Sequence, residues 1–168
     1  MTDNTIETLD KEQSLAALIE RGGVYHKVPG SYPGEILSRL IGLLPDFPAL
    51  KKEALLQAVL EREALMSTAI GKGIALPHPR VPVLEEEPFV AIAFPVQPID
   101  WSAPDGSRIH TVFLIVSSSA KQHLGTLSKI NFLCQQEKFY SLIEARSSKE
   151  EIAAAIRDAE TAWTEASH

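Results

Sequence analysis

A single histidine held between two prolines, Pro77-His78-Pro79, closes a stretch from Arg62 to Pro82 that is dense in residues suited to an anion. Gly71 and Gly73 allow positive φ or a close backbone approach. Ser67, Thr68 and the backbone N–H groups near them are short donors of the kind that hold an anion. Pro77 fixes its own φ, and Pro79 biases His78 towards an extended conformation, so the imidazole is presented on stiff backbone. Histidine titrates near neutral pH, so a large share of it is the neutral nucleophile. With Arg62 and Arg80 close in sequence, the set fits transfer of a phosphoryl group onto histidine. The nitrogen attacks while donors hold the charge spread over the equatorial oxygens. A plainer reading stays open: a histidine after a strand can simply be a satisfied polar residue, and two glycines one residue apart are a weak motif.

The other candidates are weaker. Over a helix of about Ala120–Gln136, His123, Leu127, Ile130 and Cys134 follow at spacings of four, three and four, with Leu124 adjacent. They share one apolar face, which turns His123 inward, where a polar ring needs a partner. Bonding to backbone and a functional role both fit. His110, near the start of a strand, is a minor candidate, and His26 reads as a surface residue with no Cys or second His nearby. Cys134 lies on the apolar stripe and reads as a buried structural thiol. His78, His110 and His123 could in number form a zinc site, but no pair has a short ligand spacing such as His-x-x-x-His, so no metal is expected. The sequence has no Gly-x-x-x-x-Gly-Lys-Ser/Thr loop, which argues against direct use of ATP. No cofactor is implied.

The elements that must position these residues follow from periodicity and punctuation. Ser14–Arg21 reads as a short helix ended by Gly22-Gly23, and Val24–Val28 as a strand. Pro33 opens a helix carrying Ile36, Leu37, Leu40, Ile41, Leu43 and Leu44, which Pro45 stops. Pro48 opens the next, about Ala49–Glu63, with Leu55, Leu56, Val59 and Leu60 inward and Arg62 at its end. There the Arg62 cation suits the helix dipole and could also face an anion beside Ser67 and Thr68. Leu84–Pro88 is an acidic loop. Phe89–Val96 and Arg108–Val116 are buried strands, expected as antiparallel neighbours across a loop with a turn at Asp105-Gly106. A short helix over Phe139–Ala145 precedes a last one, about Lys149–Ala159, opened by a Ser148/Glu151 capping box. Strands and helices in no strict alternation predict an α/β sandwich with a mixed sheet.

The 168 residues, 45% hydrophobic and 23% charged, suit one soluble domain with a real core. It is expected over residues 14–158, with polar tails at 1–13 and 159–168. A net charge of −6 argues against a nucleic-acid partner. The apolar runs are too short for membrane insertion, the polar, acidic start is not that of a signal peptide, and the single cysteine forms no internal disulfide. A cytoplasmic location is expected.

The string Arg62-Glu63, then Ser67-Thr68, then Gly71-Lys72-Gly73-Ile74-Ala75-Leu76-Pro77-His78 resembles the signature of enzyme IIA domains of the bacterial phosphoenolpyruvate-dependent phosphotransferase system. The branch is the fructose/mannitol type, which includes stand-alone nitrogen-related regulators. The loop Ile99–Gly106 and the pair His123-Leu124 after Val112–Val116 are also similar to family segments, and the likeness runs from Ser14 to Asp158. It implies a mixed central sheet flanked by helices, phosphorylation of His78, and His123 and Arg62 beside it holding the phosphoryl group. It also implies a phosphohistidine carrier protein as donor. The acceptor or ligand would be a phosphocysteine enzyme IIB component or a regulatory target protein. Two positions depart from the pattern: Ala69 stands where Gly is frequent, and Pro79, which has no N–H, follows the histidine.

Overall fold

The computed structural model describes residues 14–48, 50–82 and 87–166. The expected tail 1–13, His168 and most of the acidic loop lie outside them. Among the described residues there are six helices: α1 (Leu15–Gly22), α2 (Pro33–Leu43), α3 (Lys52–Leu65), α4 (Ala120–Gln135), α5 (Glu137–Glu144) and α6 (Lys149–Ala166). The strands are β1 (Val24–Val28), β2 (Ala69–Gly71), β3 (Ile74–Ala75), β4 (Phe89–Pro95) and β5 (Thr111–Val116). They form one mixed sheet in the order β1-β4-β5-β3-β2. The β1–β4 and β3–β5 pairs are parallel, while β4–β5 and β2–β3 are antiparallel.

The continuous apolar runs of β4 and β5 are explained by cover on both faces, since every residue of both strands is buried. Along β4, Phe89, Ala91 and Ala93 pack with Ile36, Leu40, Leu55 and Val59 of α2 and α3. The alternate residues Val90, Ile92 and Phe94 pack with Leu15, Ile19, Ile130, Ile143 and Ile152 from α1, α4, α5 and α6. The α/β sandwich with a mixed central sheet is therefore present, as is the antiparallel β4–β5 pair.

Several boundaries differ from expectation. Helix α3 starts at Lys52, after an extended Lys51, and on it Leu60 points outward at 37% exposure while Leu55 and Val59 carry the burial. The second buried strand begins at Thr111, because Ile109 is spent on an isolated bridge to Ile99. The Ser/Thr/Gly loop closes into the hairpin β2–β3. The tail expected from residue 159 is corrected: α6 runs to Ala166. Its Glu160 accepts from the free N–H groups of Leu15 and Ala16 at the start of α1 and pairs with Lys129, while Trp163 meets Phe132 edge-on. That cross-link between three helices could not be seen in a polar-looking segment.

Candidate active site

His78 and His123 leave neighbouring parallel strands at the same end. Beyond β3 the chain stays extended alongside β5, with the Ile115 N–H donating to the Pro77 carbonyl at 3.0 Å. Pro77 and Pro79 are buried and His78 between them is half-buried. Past β5, the chain turns through Ser117–Ser119 into α4, where the Ser119 hydroxyl caps the helix by accepting from the Gln122 N–H. His123 sits one turn in. The two imidazoles meet with centroids 4.6 Å apart and planes inclined at 47°.

His78 Nδ1 lies 2.8 Å from the Leu76 carbonyl oxygen. A carbonyl has no proton to give, so Nδ1 carries the hydrogen and, in the neutral ring, the lone pair is on Nε2. Burial pushes His78 below the ordinary value of 6.5; the bond to Leu76 and the nearby Glu63 charge oppose this, and Arg62 adds to it. His123 is lowered first by burial, then by the His78 and Arg62 charges, and its Nδ1 is 3.2 Å from the Ser117 hydroxyl. Both rings are thus held neutral near pH 7. Arg62, in the last turn of α3, donates from Nη1 to the Met66 carbonyl at 2.7 Å and projects its charge onto both histidines. His78 and His123 are thus in ring contact, with the Arg62 charge acting on both.

The loop residues take different roles. Thr68 donates its hydroxyl to Glu63 Oε2 at 2.6 Å and its N–H to Glu63 Oε1 at 2.9 Å. Ser67 donates its hydroxyl to the Trp101 carbonyl and accepts from the Ala69 N–H. These donors are already engaged within the protein. Gly71, Lys72 and Gly73 form the hairpin turn with φ of 95°, 57° and 78°. The Lys72 and Gly73 N–H groups go to Asp105 and Ser107. His78 lies five residues on from Gly73 along extended chain, roughly 16 Å. The expectation that this glycine turn cradles the anion is corrected: its amides serve the Asp105 loop.

His110 belongs to that distant end. Its Nε2 bonds the Lys72 carbonyl at 3.0 Å, its Nδ1 bonds the Thr111 hydroxyl at 2.7 Å, and Tyr140 lies edge-on. No group of three or more His, Cys, Asp or Glu able to hold a metal is present among the described residues. Burial pushes the Cys134 thiol up to about 12, an inert state. His26 is exposed and bonds the Arg146 and Ser147 carbonyls. Leu124, grouped above with the inward face of α4, is 63% exposed. It lines a shallow groove of about 150 Å³ with Pro79, Arg80, Ile115, Ser117 and His123.

Glu63 is the residue that sequence reasoning passed over. It entered only as half of the Arg62-Glu63 pair, yet it accepts from both Thr68 donors and from Trp101 Nε1 at 2.7 Å. The available signal was an acid in the last turn of a helix, where the dipole disfavours it unless it has partners.

The likeness in fold and sequence is extensive. The family model of the phosphoenolpyruvate-dependent sugar phosphotransferase system, EIIA 2, matches residues 27–159. The nitrogen regulatory protein of Escherichia coli is 33% identical over 131 residues, covering 75% of this chain and 77% of that protein. The fructose-specific EIIABC component of Bacillus subtilis is 33% identical over 99 residues, 57% of this chain but 15% of that protein. The crystal structure of nitrogen regulatory protein IIA-Ntr from Neisseria meningitidis superposes with a TM-score of 0.71 at 25% identity, covering 80% of this chain and 93% of that one. With the match spanning the strands and helices that bring His78, His123 and Arg62 together, the chain belongs to the EIIA 2 family of the phosphoenolpyruvate-dependent sugar phosphotransferase system.

Proposed function

We propose that this protein is a histidine phosphocarrier, taking a phosphoryl group from a phosphohistidine carrier protein onto Nε2 of His78 and passing it on. The observation that carries the reading is the Nδ1–H bond of His78 to Leu76, which leaves the Nε2 lone pair free beside a second neutral imidazole. In the step, Nε2 attacks phosphorus and the donor's N–P bond breaks; the donor ring, protonated on its other nitrogen, takes the electron pair and leaves as a neutral imidazole while the His78 ring gains the positive charge. Nδ1–H stays on the Leu76 carbonyl throughout, so the product is an Nε2-phosphohistidine. Ser117 donating to His123 Nδ1 turns His123 Nε2–H towards a phosphoryl oxygen, and the Arg62 cation offsets the charge. Exchange of one N–P bond for another needs no metal. The exposed apolar side chains Leu65, Met66, Val81 and Leu124 surround these residues in sequence and suit docking of a partner protein.

The acceptor is a phosphocysteine IIB component in sugar uptake, or the phosphoryl state itself is the signal read by target proteins. Relatives of both kinds match at similar identity, nitrogen regulatory proteins at 33% and fructose-specific components at 33%, so the two branches are separated by experiment.

The test is label transfer from phosphoenolpyruvate through the general enzyme and carrier protein, read by intact mass. One acid-labile phosphoryl group on wild type, absent from His78→Ala, is expected, with ³¹P–¹⁵N correlation placing it on Nε2. No label on wild type beside an active control acceptor would leave a phosphoryl-independent binding module. Onward transfer to IIB components, against none to any, separates transport from regulation.

A further inference from the structure

Glu63 and Arg62 are adjacent and opposite in charge, yet they form no ion pair among the described residues. The carboxylate is occupied elsewhere: Oε1 accepts from the Thr68 N–H and Trp101 Nε1, and Oε2 accepts the Thr68 hydroxyl. Trp101, 2% exposed, is held at both ends, since its carbonyl accepts from Ser67. The Thr68 carbonyl in turn accepts from the Leu76 N–H at 3.0 Å, and the Leu76 carbonyl holds His78 Nδ1. An unbroken series of bonds thus runs from Glu63 through two backbone units to the imidazole.

We propose that Glu63 is a positioning residue for His78: by saturating its carboxylate on Thr68 and Trp101 it fixes the backbone that locks His78 in the Nδ1–H tautomer. This rests on the reading that His78 accepts the phosphoryl group.

The experiment combines rapid-quench labelling by the phosphorylated carrier protein, at varied donor concentration and pH, with ¹⁵N NMR of the His78 ring in the unphosphorylated protein. Glu63→Ala is expected to lower the saturated rate about 10- to 100-fold with the half-saturating donor concentration unchanged, and to replace the single tautomer by a mixture. Glu63→Gln keeps an acceptor for Thr68 N–H and Trp101 Nε1, so it retains the tautomer and most of the rate. Its acid limb moves to lower pH, because the negative charge that raised His78 is gone. A folded Glu63→Ala protein with wild-type saturated rate and tautomer overturns the proposal. Should Glu63→Ala fail to fold, Glu63→Asp decides: its shorter carboxylate cannot reach Thr68 and Trp101 together, and a wild-type saturated rate and tautomer in it overturn the proposal. An unlabelled wild type sinks instead the phosphoryl reading, while the NMR arm, which needs no donor, still measures the hold of Glu63 on the ring.

Discussion

At the scale of single residues, the site separates a nucleophile from the groups that manage its charge. His78 holds its proton on one nitrogen and its lone pair on the other, and burial extends the neutral form below pH 6.5. The labelling rate should therefore stay level from pH 8 through 6.5 and fall only at lower pH, which a pH series on wild type checks. His123→Ala and Arg62→Gln should each slow labelling about 100-fold without abolishing it, since each removes one stabiliser of the transferring group and leaves the nucleophile; single-turnover rates measure this. His78 stands out in the sequence for its flanking prolines and His123 for its place on an apolar helix face, but only the resemblance to the family signature joins the two into one candidate site. Glu63 was not visible, because its importance lies in three donors, two of them five residues away and one 38 residues away.

At the scale of elements, the site follows from the pairing of β3 with β5. Parallel neighbours end on the same side, so the segment after β3 and the helix after β5 deliver their histidines to one place. Sites outside the carboxyl ends of strands are a general property of open α/β sheets. The hairpin at the other end of β3 serves a different purpose. Gly73 has φ of +78°, and a Cβ there would lie 2.3 Å from Cδ2 of His110. Gly73→Ala should cost roughly 1–3 kcal/mol, read by urea unfolding, while phosphorylation of His78 persists in the folded fraction. Sequence alone could not divide these roles. Glycines and hydroxyls near a histidine look like an anion cradle until the register shows that the glycines lie beyond the far end of the strand. The buried strands β4 and β5 were legible because unbroken apolar runs of that length have few other fates; β2 and β3, three and two residues long, are defined only by their partners.

At the scale of the whole molecule, three half-buried histidines couple stability to acidity. His78, His110 and His123 all sit below 6.5, burial being the first cause in each. The unfolded chain therefore binds more protons between the folded values and 6.5, so unfolding free energy is constant above that window and falls as pH drops into it. Asp105 contributes much lower, where loss of its bonds to Ser107 and Lys72 begins below 3.8 and is complete below about 2. Urea midpoints measured from pH 8 to 4.5 should decline from about 6.5 downward, and more shallowly in His110→Asn. The overall sandwich was legible from composition and punctuation. The reach of α6 was not, since Glu160 and Trp163 gain their meaning from α1 and α4.

The bond from Trp101 to Glu63 also makes the protein its own optical probe. Of its two tryptophans, Trp163 lies against Phe132 on the helical face, whereas the Trp101 indole ends on the carboxylate that neighbours Arg62 and acts on His78. In a Trp163→Phe protein all tryptophan fluorescence comes from Trp101, and a charged group gained at His78 alters the field across that indole. Stopped-flow emission should then follow loading and discharge of the site in real time, with no label attached.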